Sequence, residues 1–166
     1  MERREFFHRL GGRKGAMRPP GARSEMVFRD LCDGCAACLE ACPQNIIGMA
    51  GNNLPTISFA QAGCTFCGRC AEACDRGAFI DDHAAAAPWP WRARVSDACL
   101  EVKGIVCRVC ESRCEEDAIK FHPALGGLSD VSISAVACTG CGACISICPA
   151  EAISMVGPDL ISELSR

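Results

Sequence analysis

Tyrosine is absent from this chain, and aromatic residues of every kind make up only 5% of it. Large aromatic side chains dominate the burial of ordinary cores. Their scarcity, beside 16 glycines and 9 prolines, argues against one large apolar core across the 166 residues. Long hydrophobic runs are missing as well: nothing approaches the roughly 18 apolar residues that a membrane-spanning helix requires. There is no glycine-rich nucleotide-binding fingerprint and no Ser/His/Asp arrangement, so the sequence offers no catalytic constellation. Histidine is nearly absent too, with His8, His83 and His122 the only three.

What the chain has instead is cysteine. Its 16 cysteines fall into four groups of four with none left over. The first group is Cys32, Cys35, Cys38 and Cys42, followed by Pro43. The second is Cys64, Cys67, Cys70 and Cys74. The third is Cys99, Cys107, Cys110 and Cys114, and the fourth is Cys138, Cys141, Cys144 and Cys148, followed by Pro149. Three groups read C-x2-C-x2-C-x3-C, the run that wraps a [4Fe–4S] cluster in bacterial ferredoxins, and the third reads C-x7-C-x2-C-x3-C. A cubane cluster has four iron corners, each needing one thiolate. Two intervening residues let successive sulfurs reach neighbouring corners, and the fourth cysteine of a run ligates the other cluster in two-cluster ferredoxins. Gly34, Gly68, Gly140 and Gly142 sit inside the loops, where positive φ lets backbone N–H groups approach the sulfurs.

Two other chemistries use many cysteines. Eight disulfides belong to short secreted scaffolds that carry a signal peptide, and none is read here. Zinc sites usually draw on two separated C-x2-C pairs, whereas here three cysteines crowd into seven residues and the fourth follows. Iron–sulfur chemistry accounts for the spacing best. All 16 cysteines are therefore expected to be iron ligands of four [4Fe–4S] clusters, with Cys99 the least secure because of its stretched gap. The three histidines lie outside the runs and are expected to be structural or exposed.

The groups pair by their distance along the chain. Cys42 and Cys64 are 22 residues apart, and Cys114 and Cys138 are 24 apart, each gap long enough for a helical turn, a loop and a strand. The fold expected is α+β: two bacterial 2[4Fe–4S] ferredoxin-like modules in tandem, over residues 27–82 and 95–157. A basic, disordered arm over 1–26 precedes them, an Ala/Pro/Trp linker over 83–94 separates them, and a tail over 158–166 follows. Crossed ligation would join Cys32, Cys35 and Cys38 with Cys74, and Cys64, Cys67 and Cys70 with Cys42. In the second module Cys99, Cys107 and Cys110 would join Cys148, and Cys138, Cys141 and Cys144 would join Cys114. Thr56–Phe59 and Val131–Ser134 alternate as strands, and Ala71–Ala73 suits a helical turn. After each fourth cysteine come three mostly polar or turn-forming residues and then two apolar ones: Ile46-Ile47, Ala78-Phe79, Ala118-Ile119 and Ala152-Ile153.

Charge is unevenly spread. Residues 1–24 carry +5 and the remainder −8, and each oxidised cluster with its four thiolates would add about −2. Such a body suits a basic partner surface. Arg3-Arg4-Glu5-Phe6-Phe7 is similar to the start of a twin-arginine export signal, yet His8-Arg9-Leu10-Gly11-Gly12-Arg13-Lys14 is too polar for the apolar stretch that should follow. The arm is read as a segment that engages a partner or an acidic surface; no fold motif supports nucleic-acid binding. So thiol-rich a protein belongs in a reducing compartment.

Smaller motifs narrow the reading. Arg3-Arg4, Arg18-Pro19-Pro20, Cys64-Thr65-Phe66-Cys67-Gly68, Pro88-Trp89, Cys107-Arg108-Val109-Cys110 and Cys138-Thr139-Gly140-Cys141-Gly142 together resemble the NapF family, the ferredoxin-type proteins of periplasmic nitrate reductase systems. The resemblance covers nearly the whole chain. It implies a cytoplasmic, non-enzymatic iron–sulfur protein whose partner is the precursor of the nitrate reductase catalytic subunit, acting in its maturation or electron supply. The alternative is a general electron-transfer polyferredoxin or a relay subunit of another oxidoreductase complex. Asp75 and Glu115 stand where the simple ferredoxin pattern has proline, and could either tune a cluster by charge or remain solvated turn carboxylates.

Overall fold

The computed structural model describes residues 16–80, 89–124 and 128–158. In chain order the elements are α1 (Glu25–Leu31), α2 (Ala37–Glu40), β1 (Ile47–Met49), β2 (Pro55–Ile57), α3 (Arg69–Glu72), β3 (Arg92–Val95), α4 (Val109–Arg113), β4 (Ile119–Pro123), β5 (Ser129–Ile133), α5 (Ala143–Ser146) and β6 (Ile153–Val156). The strands form three antiparallel pairs. Ile47 of β1 lies opposite Ile57 of β2, Ile119 of β4 opposite Ile133 of β5, and Val95 of β3 opposite Ile153 of β6.

The two halves repeat one plan. The strand after one cysteine group pairs with the strand before the next, as β1 does with β2 and β4 with β5. The entry of each half pairs with its exit, through β3 and β6 in the second half and through a single Ala22–Phe79 bridge in the first. Apolar alternation directs the burial: in β4, Ile119 and Phe121 are buried while Lys120 and His122 are exposed. His122 Nε2 shares a hydrogen bond with Ser132 Oγ at 3.0 Å across the exposed face of that pair. His8 and His83 lie outside the described residues.

Each half has its own core, closed by the apolar pairs that follow the fourth cysteines. All eight of those residues are no more than 6% exposed, so each cysteine group is anchored by the side chains just downstream of it. Phe28 of α1 meets Phe79 edge-on in the first core, with ring centroids 5.7 Å apart. Ile145 and Met155 pack against both cores.

Two expected boundaries differ. The N-terminal arm does not extend to residue 26: Arg18 is 6% exposed and forks onto both carboxylate oxygens of Glu25 at 2.9 and 2.8 Å. It also donates to the Pro55 carbonyl at 2.6 Å, fastening α1 to β2, and Arg23 Nε donates to the Gly77 carbonyl at 2.8 Å. Arg18 and Arg23, both inside the segment read as carrying +5, thus belong to the body; residues 1–15 lie outside the described residues. The expected linker over 83–94 also ends early, because Arg92–Val95 is a strand of the second half. Trp89 is buried in the first core, edge-on to Phe59 and Phe66. Trp91 packs beside it, so both tryptophans cover apolar surface where the halves meet.

Candidate iron–sulfur sites

The loop carrying each group is shaped by left-handed backbone. Gly34, Gly68, Gly140 and Gly142 all have φ between +74° and +81°. Gly142 admits no substitute on two counts, its φ and the Phe59 ring packed where a Cβ would stand. Ala36 takes the same left-handed conformation ahead of α2 that Gly68 and Gly142 take ahead of α3 and α5. The third group differs, since Arg108 precedes α4 at φ −124°.

A further repeat escaped the sequence reading. The residue three beyond each fourth cysteine, namely Asn45, Gly77, Asp117 and Glu151, also has positive φ. That turn aims the next N–H back at the sulfur: Ala118 N donates to Cys114 Sγ and Ala152 N to Cys148 Sγ, both at 3.3 Å. Phe66 N donates to Cys64 Sγ at 3.4 Å. The signal was present in the residue types, because Asn, Gly and Asp tolerate this conformation best; Glu151 gave none. Asp75 and Glu115, in the same turns, are exposed, as solvated turn carboxylates are.

The cysteines come together across groups. Cys42 lines one cavity with Cys64, Cys67 and Cys70. Its volume is about 80 Å³, several times what a single water needs. In the second half Cys148 lines a smaller cavity with Cys99, Cys107 and Cys110. Cys74 acts on the Cys38 thiol alongside Cys32 and Cys35. Cys138 and Cys141 act likewise on Cys144, and Cys110, Cys114, Cys138 and Cys148 all pack against the core that holds Cys144. We call the expected quartets first to fourth, after the group that supplies three of the four thiols.

Burial decides the chemistry of the third cysteine in every group. It pushes the thiols of Cys38 and Cys110 up to about 11 and those of Cys70 and Cys144 to about 12, with neighbouring cysteines adding to the rise. Such thiols stay protonated at neutral pH until a metal displaces the proton. Among the described residues, no three His, Cys, Asp or Glu side chains converge closely enough to hold a single metal ion. The second and third quartets line a cavity instead, as a polynuclear cluster requires.

The stretched third group closes through Glu101, which sequence reasoning missed. Residues 100–105 fold into a turn in which Lys103 N donates to the Cys99 carbonyl at 3.2 Å and Ile105 N to that of Leu100 at 2.9 Å. Glu101 is 6% exposed; its Oε2 accepts from the Cys107 N–H at 2.6 Å, and its Oε1 lies 3.4 Å from Arg108 Nε. The Cys107 hydrogen bond, with help from Ser129 and Arg108, holds the carboxyl below its usual range. The latch draws seven intervening residues into a loop short enough for Cys99 to join Cys107 and Cys110.

Comparison with known proteins bears on this geometry. A 4Fe-4S dicluster domain matches residues 31–78 and again 103–152. The ferredoxin-type protein NapF of Escherichia coli (strain K12) is 37% identical over 138 residues, 83% of each chain. The chain belongs to the NapF family of ferredoxin-type proteins. Another relative, NapF of Haemophilus influenzae, is 35% identical over 139 residues, covering 84% of this chain and 78% of that one. The methylamine utilization ferredoxin-type protein MauM of Paracoccus denitrificans is 32% identical over 149 residues, 80% of this chain and 66% of that protein. Membership makes this an iron–sulfur protein of the electron-transferring type, with two dicluster domains in tandem. Cys99 lies outside the second matched segment, so its place in the third quartet rests on the cavity it lines.

Proposed function

We propose that the four quartets hold four [4Fe–4S] clusters through all 16 cysteines, with the fourth cysteine of each group crossing to the partner site of its own half. The single observation that carries this reading is the shared cavity of Cys42 with Cys64, Cys67 and Cys70. When bound, such a cluster takes up and releases one electron. The chain's own residues hold it by four thiolates, exclude water with the buried pairs downstream, and donate N–H bonds to sulfur that set its potential.

The role proposed is cytoplasmic: maturation of, or electron supply to, the catalytic subunit of a periplasmic nitrate reductase, by binding its precursor rather than by catalysing a reaction. The NapF relatives and the acidic body support it, as do the exposed Ile105, Val106 and Val109 beside the third quartet. The likeness to MauM proteins favours a second reading, service to another oxidoreductase system. A strain lacking this protein, grown on nitrate, separates the two. Catalytic subunit that accumulates poorly active or under-loaded with its cluster supports the first; normal activity and loading leave the second.

A further inference from the structure

The halves of this chain meet at their cysteine loops. The Cys64 N–H donates to the Cys141 carbonyl at 2.7 Å, a direct backbone bond between the second group and the fourth. Gly63 approaches α5 so closely that a Cβ on it would stand 2.8 Å from both the backbone N and the Cα of Ala143. Phe59, just upstream, covers Gly142 from the first half, and Trp91 lays its carbonyl over Gly140. Ile145 and Met155 complete the seam, packing against both cores.

Proximity within each half runs through the buried third cysteines. Cys38 and Cys70 pack in the one core of the first half, and Cys110 and Cys144 in the one core of the second; the Cys64–Cys141 backbone bond joins the two. The neighbours are therefore first with second, second with fourth, and fourth with third. We infer that the four sites form one continuous electron path in the order first, second, fourth, third, with the Cys64–Cys141 contact as the step between the halves. Spatial order thus departs from sequence order, and the ends of the path are the first and third quartets. This inference rests on the quartets holding clusters. Each step moves one electron, oxidising one cluster as it reduces its neighbour, with no bond made or broken. A low-potential one-electron donor supplies the electron at one end, and a one-electron acceptor removes it at the other.

The test isolates the two central sites. In the full chain, Cys35→Ala and Cys38→Ala with Cys107→Ala and Cys110→Ala remove the first and third clusters. After anaerobic reconstitution and dithionite reduction, electron paramagnetic resonance should show two interacting spins, with broadened lines and severalfold faster relaxation than an isolated cluster. Adding Gly63→Val, which wedges the seam without removing a ligand, should restore two separate signals at unchanged iron and sulfide. Two non-interacting signals before the wedge is added overturn the inference. If the four-substitution chain does not load, Cys38→Ala with Cys110→Ala alone removes the first and third clusters, and that chain is compared with and without Gly63→Val. The half-saturation power should then drop severalfold when Gly63→Val is added, and equal values overturn the path. Wild-type protein with zinc or no sulfide after reconstitution sinks the cluster reading itself, a result distinct from loaded clusters that fail to interact.

Discussion

Glu101 shows how one side chain can repair an irregular ligand run. A carboxylate that accepts a backbone N–H is a strong acceptor because it is charged, and here that N–H belongs to a proposed ligand, Cys107. Glu101→Ala should free the 100–106 turn and let Cys99 swing away. Iron analysis after reconstitution should then fall by about four of sixteen atoms per chain, the content of one cubane. Glu101→Gln keeps an oxygen acceptor for Cys107 and should retain most of that iron. Equal, full iron in both variants would show that the turn holds without its latch. At the same scale, Ala36 occupies a left-handed position at φ +65°. That conformation costs a non-glycine residue about 1–2 kcal/mol, offset in Ala36→Gly by the roughly 0.5–1 kcal/mol of extra backbone entropy lost. The variant should be more stable by about 0.5–1 kcal/mol, read as a higher thermal midpoint of the loaded protein.

Among the elements, α1 is the one whose attachment could not be read beforehand. Its sequence neighbours looked like the end of a charged arm, because the partner that buries Arg18 is the Pro55 carbonyl, 37 residues away. Sequence patterns report local periodicity; a cation neutralised by a distant carbonyl and by Glu25 leaves no local trace. The strands at Pro55–Ile57 and Ser129–Ile133 and the helical turn at Arg69–Glu72 were legible because alternation and cysteine spacing are local, and the proposal of crossed quartets follows from the repeat of the runs. Glu101 was hidden for the same reason as Arg18, since its value depends on how the intervening turn closes. Arg18→Ala should destabilise the first half by about 1.5–3 kcal/mol, the range for hydrogen bonds to charged groups, at the low end because Glu25 is partly exposed. The pH dependence has a definite sign. Arg18's hydrogen bond holds the Glu25 carboxyl below its ordinary 4.5, so its contribution is present above that pH and is lost as the pH falls through the lowered value. The gap in urea midpoint between wild type and Glu25→Gln should therefore be full at pH 7 and shrink below about 4.5. A gap that stays constant into acid would assign the stabilisation to something other than the charge.

For the whole molecule, the question is where the body ends and a separable arm begins. The basic residues Arg3, Arg4, Arg9, Arg13 and Lys14 precede the described residues, whereas Arg18 and Arg23 are bonded to β2 and to the Gly77 turn. Ala22 also pairs with Phe79, so residues 17–24 close the first half in the way β3 closes the second. Two truncations distinguish arm from body. Deleting residues 1–15 should leave iron, sulfide and cluster absorbance unchanged, because no proposed ligand and no described contact is lost. Deleting residues 1–24 should reduce loading of the first and second quartets, since it removes the Arg18 fork, the Ala22 bridge and the Arg23 N–H donated to the Ala78 carbonyl at 3.0 Å. Binding to a nitrate reductase precursor separates the two functions of this region. If the five basic residues steer association, the shorter truncation should slow the on-rate and flatten its salt dependence while the clusters stay intact, because screening acts on exposed charges and not on the buried Arg18. An on-rate that is unchanged by the shorter truncation and still falls with salt would assign steering to the acidic body alone. The arm would then have no part in recognising that partner.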